Sequence, residues 1–334
     1  MQTRSLAAAL ALAALAAWIA MPAAAQESEP QPPRTPWGAP DLQGVWDFRT
    51  ITPMERPEEF GDRQFLTDEE SANLEQGVLE RNARLDAPSE IRTELLPVGG
   101  NVGAYNNFWM DRGPTVVDTR RTSLIVDPPN GRIPPLTPEG QQRRDATAAK
   151  RQRPAHGPED RSMGERCLLG FNGGPPLEPR AYNNHAQIFQ TPDHVVILNE
   201  MVNDSRVVPL DGRPHLDDGI RQWRGDPRGR WEGDTLVVET TNFYLQTAFS
   251  ERQGSTPAMH LVERFTRRSD DILIYEATMT DPATWTSPWT FEVPMVRSDE
   301  PVYEYACHEG NYGMDGIMAG ARADEAEAAA ANRP

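Results

Sequence analysis

Hydrophobic positions change their spacing about halfway along the chain. Beyond Cys167 the sequence becomes a succession of short runs, HVVILNEM, SRVVPL, DTLVVETTNF, MHLVERFTR, DILIYEATMT and PWTFEVPMV. Each is rich in β-branched and aromatic residues, and turn signals such as WEGD and RRSDD separate them. No helical spacing intervenes, so neighbouring strands are expected to pair antiparallel. A run of this kind closes into a barrel or packs as a sandwich. The pattern therefore predicts a mainly β protein whose core is an antiparallel, barrel-like sheet over residues 166–322.

The first half reads differently. DLQGVWDFRT is a short strand with Trp46 and Phe48 on one face. FLTDEESANLEQGVLERNARL is a helix, because Thr67 and Glu70 make a capping box and acids crowd the first turn. TSLIVDPPNGRIPPL is a hairpin-like unit turning at PPNG. LTPEGQQRRDATAAKRQR is a second helix with Thr137 as N-cap and Pro138 in first position; polar all round, it belongs on the surface. PAHGPEDRSMGE is linker. Residues 41–165 are thus strands, two helices and a linker packed on the β core, and the barrel is of calycin type with its few helices peripheral. The Ala-rich end, residues 323–334, reads as a flexible tail, a frayed helix or disordered chain.

The N-terminus fixes the expected compartment. One Arg, an apolar stretch and the small residues PAAAQES form a secretory signal with cleavage after Ala25, followed by a Pro-rich lead-in over residues 26–40. The apolar stretch is short for a membrane span. Export to the periplasm or beyond makes Cys167 and Cys307, the only two cysteines, a disulfide pair. The alternative is a metal or redox site, since His308 and Glu309 follow Cys307 directly. A formal charge of −17 argues against nucleic acid as a partner. Lys150 is the only lysine, so the cationic groups are almost all planar arginine forks.

The chemistry starts from strand parity. In HLVERFTR, His260, Val262 and Arg264 face one way while Leu261, Glu263 and Phe265 face the other. Glu263 thus shares an apolar face, where a carboxyl must be paired or neutral. Val196, Leu198 and Glu200 likewise share a face. Two acids among inward apolar positions imply a polar patch inside the barrel, or an Arg–Glu pair that fixes its interior. The turn VPLDGRPHL then offers Arg213 and His215, which turn geometry does not require, beside Asp211, which it does. His215 is a candidate general acid or base with Glu200 to orient it. His185 and His260 join Glu263 as further candidates for the same hollow. Arg213, Tyr105, Asn107, Trp109, Arg112, Trp231 and His308 are candidates for holding ligand, because amides, aromatics and guanidinium groups mix around them.

No HExxH, CxxC or EF-hand spacing is present, and GxSxG, Rossmann and P-loop signatures are missing, so no organic cofactor is expected and a metal is a minor alternative.

By PDLQGVW, TSLIVDPPNGRIPPLTPEGQ, VPLDGRPH, GRWEGDTLVVETTNF and CHEGNYGM, the chain resembles a family of exported proteins of environmental proteobacteria and acidobacteria. The resemblance covers most of the chain beyond the signal and implies export and a β-rich, lipocalin-like body. It carries over no catalytic residues. Three functions stay open: an enzyme using cofactor-independent acid–base chemistry of lyase, isomerase or hydrolase type on a small aromatic or carbohydrate-like molecule; a non-catalytic small-molecule carrier; and a His-rich metal-dependent enzyme.

Overall fold

The alternating runs of the second half join two strands of the first half in a single sheet. A computed structural model describes residues 32–88, 93–94, 107–170, 172–244 and 256–331; the expected signal peptide and the first six residues of the lead-in lie outside them. The strands are β1 (Gly44–Asp47), β2 (Ile125–Asp127), β3 (His185–Gln190), β4 (His194–Asn199), β5 (Asp204–Pro209), β6 (Asp226–Glu232), β7 (Thr235–Thr241), β8 (His260–Arg267), β9 (Ile272–Thr280) and β10 (Trp289–Ser298). Their order is β5-β4-β3-β1-β10-β9-β8-β7-β6, with the short β2 paired to β10. Every ladder is antiparallel.

Strands alternate in direction along that order, so with nine of them the first and last, β5 and β6, run the same way. They approach without a ladder, and the barrel is nearly closed. The approach is tight at Gly229 in β6, where a Cβ would stand 2.6 Å from Leu210 and 2.8 Å from Val208. Both strand starts also meet, through an ion pair between Arg224 and Asp204.

The interior is filled. Leu261, Phe265, Leu273, Tyr275, Ala277, Met279, Phe291, Val293 and Met295 have no exposed surface and belong to one apolar cluster. Within it sits one charged network. Arg206 of β5 forms a two-pronged ion pair with Glu263 of β8, at 2.5 and 2.6 Å. Tyr275 of β9 donates to the same carboxylate at 2.8 Å and accepts from the Leu177 amide at 2.9 Å. Burial pushes the Tyr275 phenol well above its usual pKa, with the Glu263 charge adding to it. Arg206 is held above its ordinary value by Glu263, against the cost of burial. Of the two expectations for Glu263, the structure has the Arg–Glu pair. Toward the end where β8 finishes, Arg267 lies 5.6 Å over the Trp46 ring and donates to the carbonyls of Asp41, Ser269 and Asp270.

Among the described residues three α-helices stand outside the sheet: α1 (Asp68–Asp86), α2 (Pro138–Arg151) and α3 (Tyr312–Ala331). The Thr67–Glu70 capping box and the Thr137 N-cap are both formed. The helices are not confined to the first half. Of the two expectations for the Ala-rich end, the described residues have the helix: it runs from Tyr312 to Ala331, with Ala321 buried and Arg322 donating to the carbonyls of Ala155 and His156. The PPNG unit is not a hairpin, since β2 pairs with β10. β1 is a full member of the barrel, between β3 and β10. Cys167 and Cys307 form the disulfide, 140 residues apart in sequence. No helix among the described residues is long and apolar enough to cross a membrane.

Removing one partner from the interior pair leaves a buried charge uncompensated. Glu263→Ala is expected to cost about 3–5 kcal/mol, read as a lower urea midpoint. The double variant Arg206→Met with Glu263→Leu is expected to recover that loss or exceed the parent. A single variant as stable as the parent would show that the pair does not hold the barrel.

Candidate functional site

The hollow of the barrel does not gather the expected groups. Leu261, Glu263 and Phe265 are inward and His260 is not: it stands half-buried on the outer face of β8, opposite Thr280. In β4 the inward residues are Val195, Ile197 and Asn199. Glu200 therefore continues the outer face. His185 also has outward parity in β3, where Ala186, Ile188 and Gln190 point in.

These two outward groups meet. Ala186 pairs with Asn199, and the Glu200 amide donates to the His185 carbonyl at 3.0 Å, so the residues are cross-strand neighbours. His185 Nδ1 lies 2.9 Å from Glu200 Oε2. A carboxylate only accepts, so in the neutral ring the hydrogen sits on Nδ1 and Nε2 keeps its lone pair. Nε2 is buried without a partner among the described residues. On the other side of His185, β1 brings Asp47 into register. Asp47, His185 and Glu200 thus form one row across β1, β3 and β4.

Arg49 extends the row. It donates to Asp47 at 2.8 Å and pairs with Asp111 at 2.6 Å. Burial lowers the affinity of this guanidinium for its proton, but the two carboxylates more than reverse that, and the pKa is raised. Around His185, burial is the largest influence and opposes protonation. The Glu200 hydrogen bond and the charges of Asp47 and Glu200 outweigh it and the opposing charge of Arg49, so the imidazole pKa lies above its ordinary value of 6.5. The side chains of His185 and Glu200 are 10 % and 11 % exposed, against 18 % for Asp47 and 28 % for Arg49. Solvent therefore reaches the row from the Asp47–Arg49 side.

The loops covering the row are cross-braced. Asn184 donates to the Asp111 and Arg180 carbonyls and accepts from the Arg180 amide, while Asn172 donates to the carbonyls of Tyr182 and Asn183. Beside them lies a cavity of 720 Å³ lined by one side of α1, residues 50–54, Pro57, Glu59, Phe60, Leu124, Arg112 and residues 179–181. Thr50 and Arg112 of its wall directly follow Arg49 and Asp111 in the chain, and the Ala181 carbonyl accepts from the Asp111 amide.

His215 belongs to a separate group. Its partner is Asp226 of β6, at 3.1 Å, not Glu200. Asp226 also accepts from the Leu216 amide and from Arg228, which itself donates to the Pro214 carbonyl. This fastens the returning chain along β6. Arg213 is turned back on Asp211 in an exposed fork, and the hydrogen bonds and charge of Arg213 hold the Asp211 carboxyl down to about 2. The DGRPH turn is stiff, but its Arg and His serve different neighbours.

Of the other ligand candidates, Arg112 lines the cavity. Asn107 donates to Asp86, and Trp109 is 58 % exposed. Trp231 packs on the edge of the core, and His308 is exposed on the disulfide loop. Tyr105 lies outside the described residues. Among the described residues no group of three or more His, Cys, Asp or Glu is placed to hold a metal ion. The sequence reading missed Asp47, Arg49, Asp111 and Asp226. The signal for two of them was present: in WDFR, the parity that puts Trp46 and Phe48 inward puts Asp47 and Arg49 together outside. Comparison with protein-family models, curated proteins and solved structures finds no match for this chain.

A raised His pKa gives a definite sign. The dyad's contribution to stability is fully present below the unfolded imidazole value, near 6.5, and is lost as pH rises through the folded value. Imidazole NMR titration is expected to place His185 above 6.5 in the parent and lower in Glu200→Gln. A His185 midpoint at or below 6.5 in the parent would show that the carboxylates do not outweigh burial.

Proposed function

We propose that the protein is an exported enzyme performing acid–base chemistry on a small molecule, with His185 as the proton-transferring group. The observation that carries the reading is the His185–Glu200 dyad, an imidazole oriented through Nδ1 whose Nε2 is buried and unpartnered. Such an imidazole takes a proton at Nε2 from a C–H or O–H of the substrate. The imidazolium that forms lies in a row with the carboxylates of Glu200 and Asp47, which stabilise its charge. Arg49 fixes Asp47 and balances its charge, so it positions the row without touching the reacting atoms. The returned proton completes an isomerisation or elimination with no organic cofactor. His215 has no place in this chemistry, because its carboxylate partner already serves a backbone amide and an arginine.

A carrier without chemistry is the second reading, favoured by the size of the cavity beside the row, 720 Å³, within the range of small-molecule sites. The filled barrel supports neither reading through its interior. The metal-dependent reading has no ligand cluster to build on among the described residues.

Proton transfer can be followed before any product is known. The full chain is incubated in D2O with a panel of small ring-bearing keto and hydroxy acids and sugars, and loss of C–H signal beside a carbonyl is read by proton NMR. Exchange is expected for at least one compound, and His185→Asn is expected to slow it about 10²–10⁴-fold while His215→Asn leaves it unchanged. No exchange across the panel, or exchange indifferent to His185→Asn, would overturn the enzyme reading.

A further inference from the structure

The cavity along α1 is asymmetric in charge. Leu74, Val78 and Arg81 are spaced to share one stripe of the helix, and all three line it. Ser71 is the only buried residue of α1, and Leu74 remains 43 % exposed, so the helix leaves apolar surface open along this side. Met54 completes the apolar patch. Among the described residues the charged lining is three arginines, Arg81, Arg112 and Arg180, against one acid, Glu59. In a chain of net charge −17 that local excess of positive charge is selective.

The arginines are not equivalent. Arg180 is committed to Glu178. Among the described residues Arg81 reaches only the neighbouring Asn82, at 3.5 Å. Arg112 is exposed at the cavity wall and makes no ion pair or hydrogen bond with a described residue. An unpaired guanidinium beside apolar surface suits a ligand with an apolar body and one planar anionic group, because the fork takes two oxygens at once while the body covers Leu74 and Val78.

We infer that this cavity is a binding site for a small aromatic monoanion, a carboxylate or sulfonate, its charge held by Arg112 with Arg81 in support and its ring against Leu74 and Val78. That such a ligand is also the molecule His185 acts on rests on the preceding reading; that the cavity binds it does not.

The probes are anilinonaphthalene sulfonate, which is anionic, and the uncharged phenylnaphthylamine of similar shape, titrated by fluorescence into the full chain with its disulfide intact. The sulfonate is expected to bind saturably at one site. Arg112→Gln is expected to weaken it by roughly tenfold or more, as the loss of a charge-assisted contact requires, and to leave the neutral probe unchanged. Arg81→Gln with Arg112→Gln weakens the sulfonate further. Val78→Asp weakens both probes, and circular dichroism melting checks that each variant is folded. Absence of saturable sulfonate binding, or a sulfonate affinity indifferent to the double arginine variant, overturns the inference. His185→Asn separates the two proposals. It is expected to keep sulfonate affinity while abolishing exchange. Arginine variants that leave affinity intact sink the cavity alone; exchange that survives His185→Asn sinks the catalytic reading alone.

Discussion

Closing a sheet of nine strands, each antiparallel to the next, brings together two edges that run the same way. That mismatch sits between β5 and β6, and it governs the interior. The edges lack the regular ladder that holds the rest of the wall. Their join rests on side chains: glycine-enabled contact at Gly229, the Arg224–Asp204 pair at the strand starts, and Arg206 reaching from β5 across the interior to Glu263. A charged fork is an expensive thing to bury, and in an apolar interior it is sustained only when every lone pair is used. Tyr275 donates to the same carboxylate and is itself held by the Leu177 amide. The same network ties β5 directly to β8 and, through Tyr275, to β9, so one edge of the join is anchored in the opposite wall.

A barrel spent on its own closure has no hollow to offer. Space and reactive groups are found on the outside of the wall, where the segments before β3 cover β1, β3 and β4. The covering explains how His185 has outward parity and is nonetheless buried. It also explains the mixture of strand and loop in the row. The strands fix the spacing of Asp47, His185 and Glu200 by register, while the loops bring Asp111 to Arg49 and form one wall of the neighbouring cavity. Placement by strands gives precision, and placement of the cover by loops leaves the surroundings free to vary.

How far the sequence spoke depended on contrast between faces. In β8 the alternation of Leu261, Glu263 and Phe265 with polar neighbours was strong enough to place Glu263 inside correctly. In β4, HVVILN is apolar on both faces, so parity alone could not say which side was interior, and Glu200 was assigned to the wrong one. β6 was not read as a strand at all, since DPRGRWE carries a Pro, a Gly and four charges; pairing with β7 imposes the extended form that local preference does not. Caps and the cysteine pair were legible because they depend on few residues, whereas the dyads depend on register between distant segments.

The bond between Cys167 and Cys307 spans every strand from β3 to β10. A backbone cut once anywhere within that span leaves both pieces fastened to each other, since each retains one of the two sulfurs. A single scission of an outer loop thus nicks the molecule without dividing it, and the end bearing α3 stays attached to the segment that leads into β3.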